Sequence, residues 1–169
     1  MSGRSRSDQF VTLGLDHEVF AVPVELVREI LDMRTPFHIP EAPAHLAGLI
    51  DVRGQAVPVI DLRLKLGLAP QAVTADTRIL VLDVPMDDRV LSLGLIADRV
   101  FEVTALDPGS IAPPPDIGSS WHSSYIDGIG RRGDSFVVIF SLANLLTRDD
   151  IALLRTAGTT ATDPVITEA

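Results

Sequence analysis

The sequence predicts a mainly β fold: two small five-stranded barrels packed side by side, with few and short helices. Three observations lead there. About ten short runs rich in β-branched, aromatic and other apolar residues recur along the chain, each bounded by Gly, Pro, Asn, Asp or Ser. Turn signals return at short, regular intervals, the habit of closed sheets. The second half of the chain repeats the style of the first, with the polar connector Ala69 to Asp76 between them. That boundary divides the chain into a first barrel at about 9–75 and a second at about 76–146. Hydrophobic residues make up 46% of 169, enough for one domain with a real core and no staples, and there is no cysteine for a disulfide.

Residues 1–8 are Ser/Arg-rich and read as a disordered N-terminus. Gln9 to Leu15 is a first strand. Asp16-His17 makes a turn, and Glu18 to Val22 returns as the second strand before Pro23, which cannot donate to a ladder. Val24 to Val27 suits one helical turn. Arg28 to Met33 alternates and reads as a half-exposed strand, with Glu29 facing outward. Pro36, Pro40 and Pro43 make Thr35 to Pro43 a loop. Gly48 to Asp61 reads as strand, tight turn and strand, with Gly54-Gln55 punctuating the middle and Arg53 at the rim of the turn. Asp61 is a good helix N-cap, so a short helix is expected at Leu62 to Leu66, ended by Gly67.

In the second half, Thr77 to Val84 and Val90 to Ala97 are apolar strands about an acidic turn, and Arg99 to Thr104 is another strand. Ala105 to Ser124, with Pro108 and Pro113-Pro114-Pro115, is a long loop. Tyr125 to Gly130 and Ser135 to Phe140 form a hairpin about Arg131 to Asp134. Thr147 and Asp150 resemble a capping box, and Ile151 and Leu154 give the apolar face of a helix at 147–155. Residues 156–169 are small and polar, a flexible tail.

Charge narrows the function. Fourteen Lys and Arg stand against 23 Asp and Glu, a formal net charge of −9, which repels nucleic acid and anionic membrane surfaces. The polar N-terminus has no apolar signal core, and no run of about 18 apolar residues occurs. A soluble cytoplasmic protein is expected.

No catalytic constellation emerges. His17, His38, His45 and His122 stand apart from one another at no metal-ligand spacing, so no metal site is expected. Ser119, Ser120, Ser123 and Ser124 flank His122, without a Gly-x-Ser-x-Gly elbow. Gly128-Ile129-Gly130-Arg131-Arg132-Gly133 matches a dinucleotide fingerprint letter by letter. A strand follows it, where pyrophosphate binding needs a helix N-terminus, so these glycines read as serving a hairpin. The residues alone lead to a non-enzymatic all-β binding module without cofactor.

Gly48-Leu49-Ile50-Asp51-Val52-Arg53-Gly54-Gln55-Ala56-Val57-Pro58-Val59-Ile60-Asp61-Leu62-Arg63 resembles the signature of the CheW family of chemotaxis coupling proteins. That signature runs glycine, two apolar residues, Asn-Leu-Arg-Gly, apolar residues around a proline, then Asp-Leu-Arg. Asp51-Val52 departs from its Asn-Leu. Val27-Arg28-Glu29-Ile30, Gly94 to Val100 and Tyr125 to Gly130 resemble further family segments. The resemblance implies Src-homology-3-like barrels around a shared core and no catalysis. It implies an adaptor between a CheA-type histidine kinase regulatory domain and the cytoplasmic tips of methyl-accepting chemoreceptors, recruited to arrays at the inner membrane. It implies receptor contact through Val27, Glu29 and Arg53.

Two readings of Arg53 stand: an interface residue, or one side of an internal salt bridge to Glu29 or Asp51. A kinase-facing groove between the barrels is also expected, with Ile39, Ile50, Val57 and Val59 as candidates, some of which the core must claim. A coupling protein of a non-motility pathway and a small hydrolase built on the His122 loop are the alternatives.

Overall fold

The computed structural model describes residues 9–86, 89–113 and 125–145. Ten strands run β1 (Gln9–Leu15), β2 (Glu18–Pro23), β3 (Val27–Asp32), β4 (Leu46–Val52), β5 (Gln55–Asp61), β6 (Arg78–Pro85), β7 (Val90–Ala97), β8 (Arg99–Ala105), β9 (Ile126–Arg132) and β10 (Ser135–Phe140). Two one-turn helices follow β5 and β10: α1 (Leu62–Lys65) and α2 (Leu142–Leu145). A 3-10 turn, Val24–Leu26, links β2 to β3. Asp61 caps α1 as its sequence suggests, accepting from the amides of Arg63 at 3.0 Å and Leu64 at 3.4 Å.

The strands form two five-stranded sheets, ordered β8-β1-β2-β10-β9 and β3-β6-β7-β5-β4. Each has the same plan. An edge strand pairs antiparallel with a hairpin, the hairpin's second strand pairs parallel with a strand of another hairpin, and that hairpin supplies the far edge. The plan repeats in the chain as well. Gly48 to Leu62 and Gly128 to Leu142 pair off without a gap, and each carries an isolated bridge at the same place, Phe37 to Leu49 and Ala112 to Ile129.

The expected division at about residue 75 is corrected by this topology. The second sheet takes residues 27–61 and 78–97, while the first joins 9–23 to 99–105 and 126–140. Relative to that boundary the β1–β2 and β6–β7 hairpins have changed sides, and the second sheet is the unbroken run β3 to β7. Local patterns show which segments extend but not which edges pair, so this exchange is invisible in the sequence.

Alternation then builds three cores. Ile50, Val52, Val57, Val59, Ile79 and Val81 fill the inside of the second barrel. Phe10, Ala21, Leu106, Val137 and Ile139 fill the first. The opposite faces, among them Leu13, Leu15, Leu80, Leu82, Leu93, Leu95 and Phe140, meet in the larger core that the barrels share. Phe20 stacks on Phe140 there with ring centroids 4.9 Å apart. No ladder joins the edge strands of either sheet among the described residues. Side chains bring the edges together instead: Glu29 of β3 pairs with Arg53 beyond β4, and Glu102 of β8 with Arg132 of β9 at 3.3 Å.

The structure adds details the sequence left open. Arg131 and Arg132 belong to β9, so the second hairpin turns on Gly133-Asp134 alone. Gly128 lies where a Cβ would come within 2.6 Å of Ile111 Cγ2, so close packing explains that glycine. The expected helix at 147–155, the flanking segments 1–8 and 156–169, and His122 with its serines lie outside the described residues.

Candidate docking site

The β4–β5 hairpin projects one charged side chain from its tip. Val52 and Gln55 form the last pair, leaving Arg53 and Gly54 as a two-residue turn with φ of 52° and 85°. Two positive φ values match the strand twist of a hairpin, which is why Asn-Gly is the usual choice. Glycine meets this at no cost, whereas arginine meets it with strain of roughly 1–2 kcal/mol. Gly54 has no atom within 4 Å of where a Cβ would stand, so the tip is open to solvent.

Arg53 reaches Glu29 with both ends of its fork, Nε to Oε2 at 3.2 Å and Nη2 to Oε1 at 3.3 Å. Of the two internal partners considered, Glu29 is the one engaged. The Arg53 side chain nonetheless stays 78% exposed, while Glu29 is 19% exposed. The guanidinium is therefore held in place yet presented. The Asp51 carbonyl accepts from Arg34 Nη1 at 2.9 Å.

Glu29 does not face outward as its neighbours suggest. In β3 the register slips between Val27 and Glu29, so Arg28 is an extra residue without an opposite number on β6. The bulge reverses the faces. Val27 pairs with Leu82 and packs on the shared core, whereas Glu29 pairs with Val81, whose side chain lies inside the second barrel. Glu29 thus stands over the barrel's apolar interior, and Arg53 closes above it.

Arg28 points to the outside. Its Nη1 and Nη2 donate to Gln55 Oε1 at 3.1 and 3.2 Å, and Nη2 lies 3.3 Å from Asp83 Oδ1. The bulge is thereby tied to the hairpin turn and to β6. Nothing in the composition of Arg28-Glu29 announces a bulge, and sequence reading missed Arg28 for that reason.

The structure thus brings Glu29 and Arg53 together and sets half-buried Val27 on the opposite face of the same strand. The kinase-facing guesses need correction. Ile50, Val57 and Val59 are at most 5% exposed and fill the barrel interior, so they offer a partner no surface. Ile39 is half-buried against the shared core. Apolar surface lies instead at Ile30 and Phe37, 44% and 71% exposed, on either side of the Arg34 loop. Among the described residues no group of three His, Asp or Glu could hold a metal ion. No helix among them is long and apolar enough to cross a membrane.

Comparison with known proteins places these features in context. The family model described as CheW-like domain matches residues 9–150. A chemotaxis protein CheW of Klebsiella aerogenes is 27% identical over 154 residues, 91% of this chain and 90% of the relative. The chemotaxis protein CheW of Helicobacter pylori is 31% identical over 141 residues, 83% and 82% of the two chains. The crystal structure of the scaffolding protein TtCheW from Thermoanaerobacter tengcongensis is similar with a TM-score of 0.75 and 28% identity, covering 85% of this chain and 90% of that one.

Proposed function

The chain belongs to the CheW-like domain family, and from that premise we propose that it works as a non-catalytic adaptor of chemotaxis signalling, holding chemoreceptor tips and a CheA-type histidine kinase together on the cytoplasmic side of the membrane. The observation that carries this reading is the extent of the family match, residues 9–150, which takes in strands of both barrels and the Arg53 rim.

The rim suits receptor contact. Arg53 is oriented by Glu29, so little side-chain freedom is lost when a partner arrives. Its exposed guanidinium can meet a carboxylate or a backbone carbonyl. Ile30 and Phe37 supply apolar area nearby in sequence. A few such residues around one arginine are enough to dominate a protein interface. The kinase contact belongs on surface other than Ile50, Val57 and Val59, and Ile39 remains available at the margin of the shared core. Coupling then means that a change of packing at the receptor tip reaches the kinase through a body that binds both. The adaptor contributes binding energy and geometry, and no bond is made or broken.

The test is direct. Purified chain is titrated by calorimetry with the regulatory domain of each CheA-type kinase, and with the cytoplasmic fragment of each chemoreceptor, encoded in the same genome. Saturable binding to one kinase domain and one receptor fragment is expected. Absence of binding to all of them overturns the proposal.

A further inference from the structure

The most buried charge among the described residues lies away from the rim. Arg63, at the first turn of α1, is 8% exposed. Its Nη1 contacts Asp16 Oδ1 at 2.6 Å and Asp98 Oδ2 at 2.7 Å, and its Nε donates to the Ala69 carbonyl at 2.8 Å. These partners come from different parts of the molecule. Asp16 is the β1–β2 turn of the first barrel, held at a φ of 56°. Asp98 is the single residue between β7 of the second barrel and β8 of the first. Arg63 follows β5 of the second barrel.

The carboxylate of Asp98 also accepts from the Asp16 amide at 2.8 Å, and its own amide donates to the Gly14 carbonyl at 3.1 Å. One cation therefore joins a turn of one barrel, a helix of the other, and the point where the chain crosses between them. Burial disfavours the charged guanidinium, but the bond to Asp16 and the charge of Asp98 outweigh it and hold its pKa above the ordinary value. Arg63 accordingly stays charged at every pH where the protein is folded.

An apolar core alone leaves the barrels a choice of angle, because hydrophobic contact is not directional. An arginine held through Nη1 by two carboxylates and through Nε by a carbonyl is directional, and in some proteins buried ionic groups select one arrangement rather than add stability. We propose that Arg63 is a positioning residue: its link to Asp16 and Asp98 sets the angle between the two barrels, and so the placement of the Glu29–Arg53 rim relative to the first barrel. The consequence for coupling rests on the adaptor reading, but the latch itself does not.

The chain contains no cysteine, so paired spin labels can be introduced freely. Val90→Cys places one on the second barrel and Ser135→Cys one on the first, both at exposed positions remote in sequence from Arg63. Double electron–electron resonance on the labelled full chain should give one narrow distance distribution. With Arg63→Met or Asp98→Asn added, the distribution should broaden about twofold or move to a new centre. Arg63→Lys, which keeps the charge but not the fork, should fall between.

A distribution that superimposes on that of the parent in Asp98→Asn and Arg63→Met, with only the melting temperature lowered, overturns the proposal. Asp98→Asn keeps the shape of the side chain, so it carries the test if Arg63→Met does not fold. The measurement uses the isolated chain, so its failure is distinguishable from failure to bind kinase or receptor.

Discussion

Arg53 combines a left-handed backbone with a charge that is anchored yet largely exposed. An exposed pair of this kind stabilises a fold by only about 0–1 kcal/mol. Arg53→Ala keeps the same backbone strain and loses only the pair. Its melting temperature should fall by less than about 4 °C. Affinity for a receptor fragment should fall at least about tenfold, roughly 1.4 kcal/mol. Calorimetry beside thermal melting checks both, and a melting loss of 10 °C or so would mean that the pair is chiefly structural. Glu29→Ala leaves the guanidinium present but unanchored, so its loss of affinity should be the smaller of the two. The sequence carried the pairing of these residues as one of two alternatives. It could not carry the direction of Glu29, because that depends on one extra residue in β3, and a single bulge reverses every face after it.

At the scale of the element, the two copies of the β4–β5 and β9–β10 hairpin make a comparison possible. Gly48 has a φ of 145°, and a Cβ there would run into the carbonyl of Phe37, whose backbone is fixed by its N–H donating to the Leu49 carbonyl at 2.7 Å and its carbonyl accepting from the Leu49 amide at 2.9 Å. Neither strain nor clash can relax, so Gly48→Ala should destabilise by at least about 2 kcal/mol. Its counterpart Gly128 has no positive φ, and its nearest obstacle is the Ile111 side chain, which can move. Gly128→Ala should cost clearly less, and urea unfolding of both variants measures the difference. Asp61→Ala should cost about 1 kcal/mol, through loss of the α1 cap. The strands, a tight turn at Gly54 and the Asp61 cap were legible because each is a local pattern with a local cause, although the turn falls on Arg53-Gly54 rather than Gly54-Gln55. Helix α2 was not: Leu142-Ala143-Asn144-Leu145 is too short to show a period.

For the whole molecule, the exchange of hairpins matters more than any single strand. The second barrel is one continuous stretch, 27–97, inserted between the two parts of the first, 9–23 and 99–105 with 126–140, and the two share a core. Unfolding should therefore be one cooperative transition, with far-ultraviolet circular dichroism and Trp-independent probes coinciding; two separable transitions would show that the barrels melt alone. Strand count and spacing led to two five-stranded units, the family resemblance implied a core shared between them, and both are present. Which strands belong to which unit depends on pairing between residues 35 and more apart, and no local pattern records that. A single body with its rim on one barrel and its latch at the crossing is suited to passing a change of packing from one partner to another, provided both are bound at once.

The decisive measurement is sedimentation of a mixture of the full chain, the kinase regulatory domain and the receptor fragment. The adaptor account predicts one species containing all three, which loses the receptor fragment when Arg53→Ala replaces the parent chain and keeps the kinase domain. Two binary complexes that compete for the chain, and never a ternary one, would contradict it.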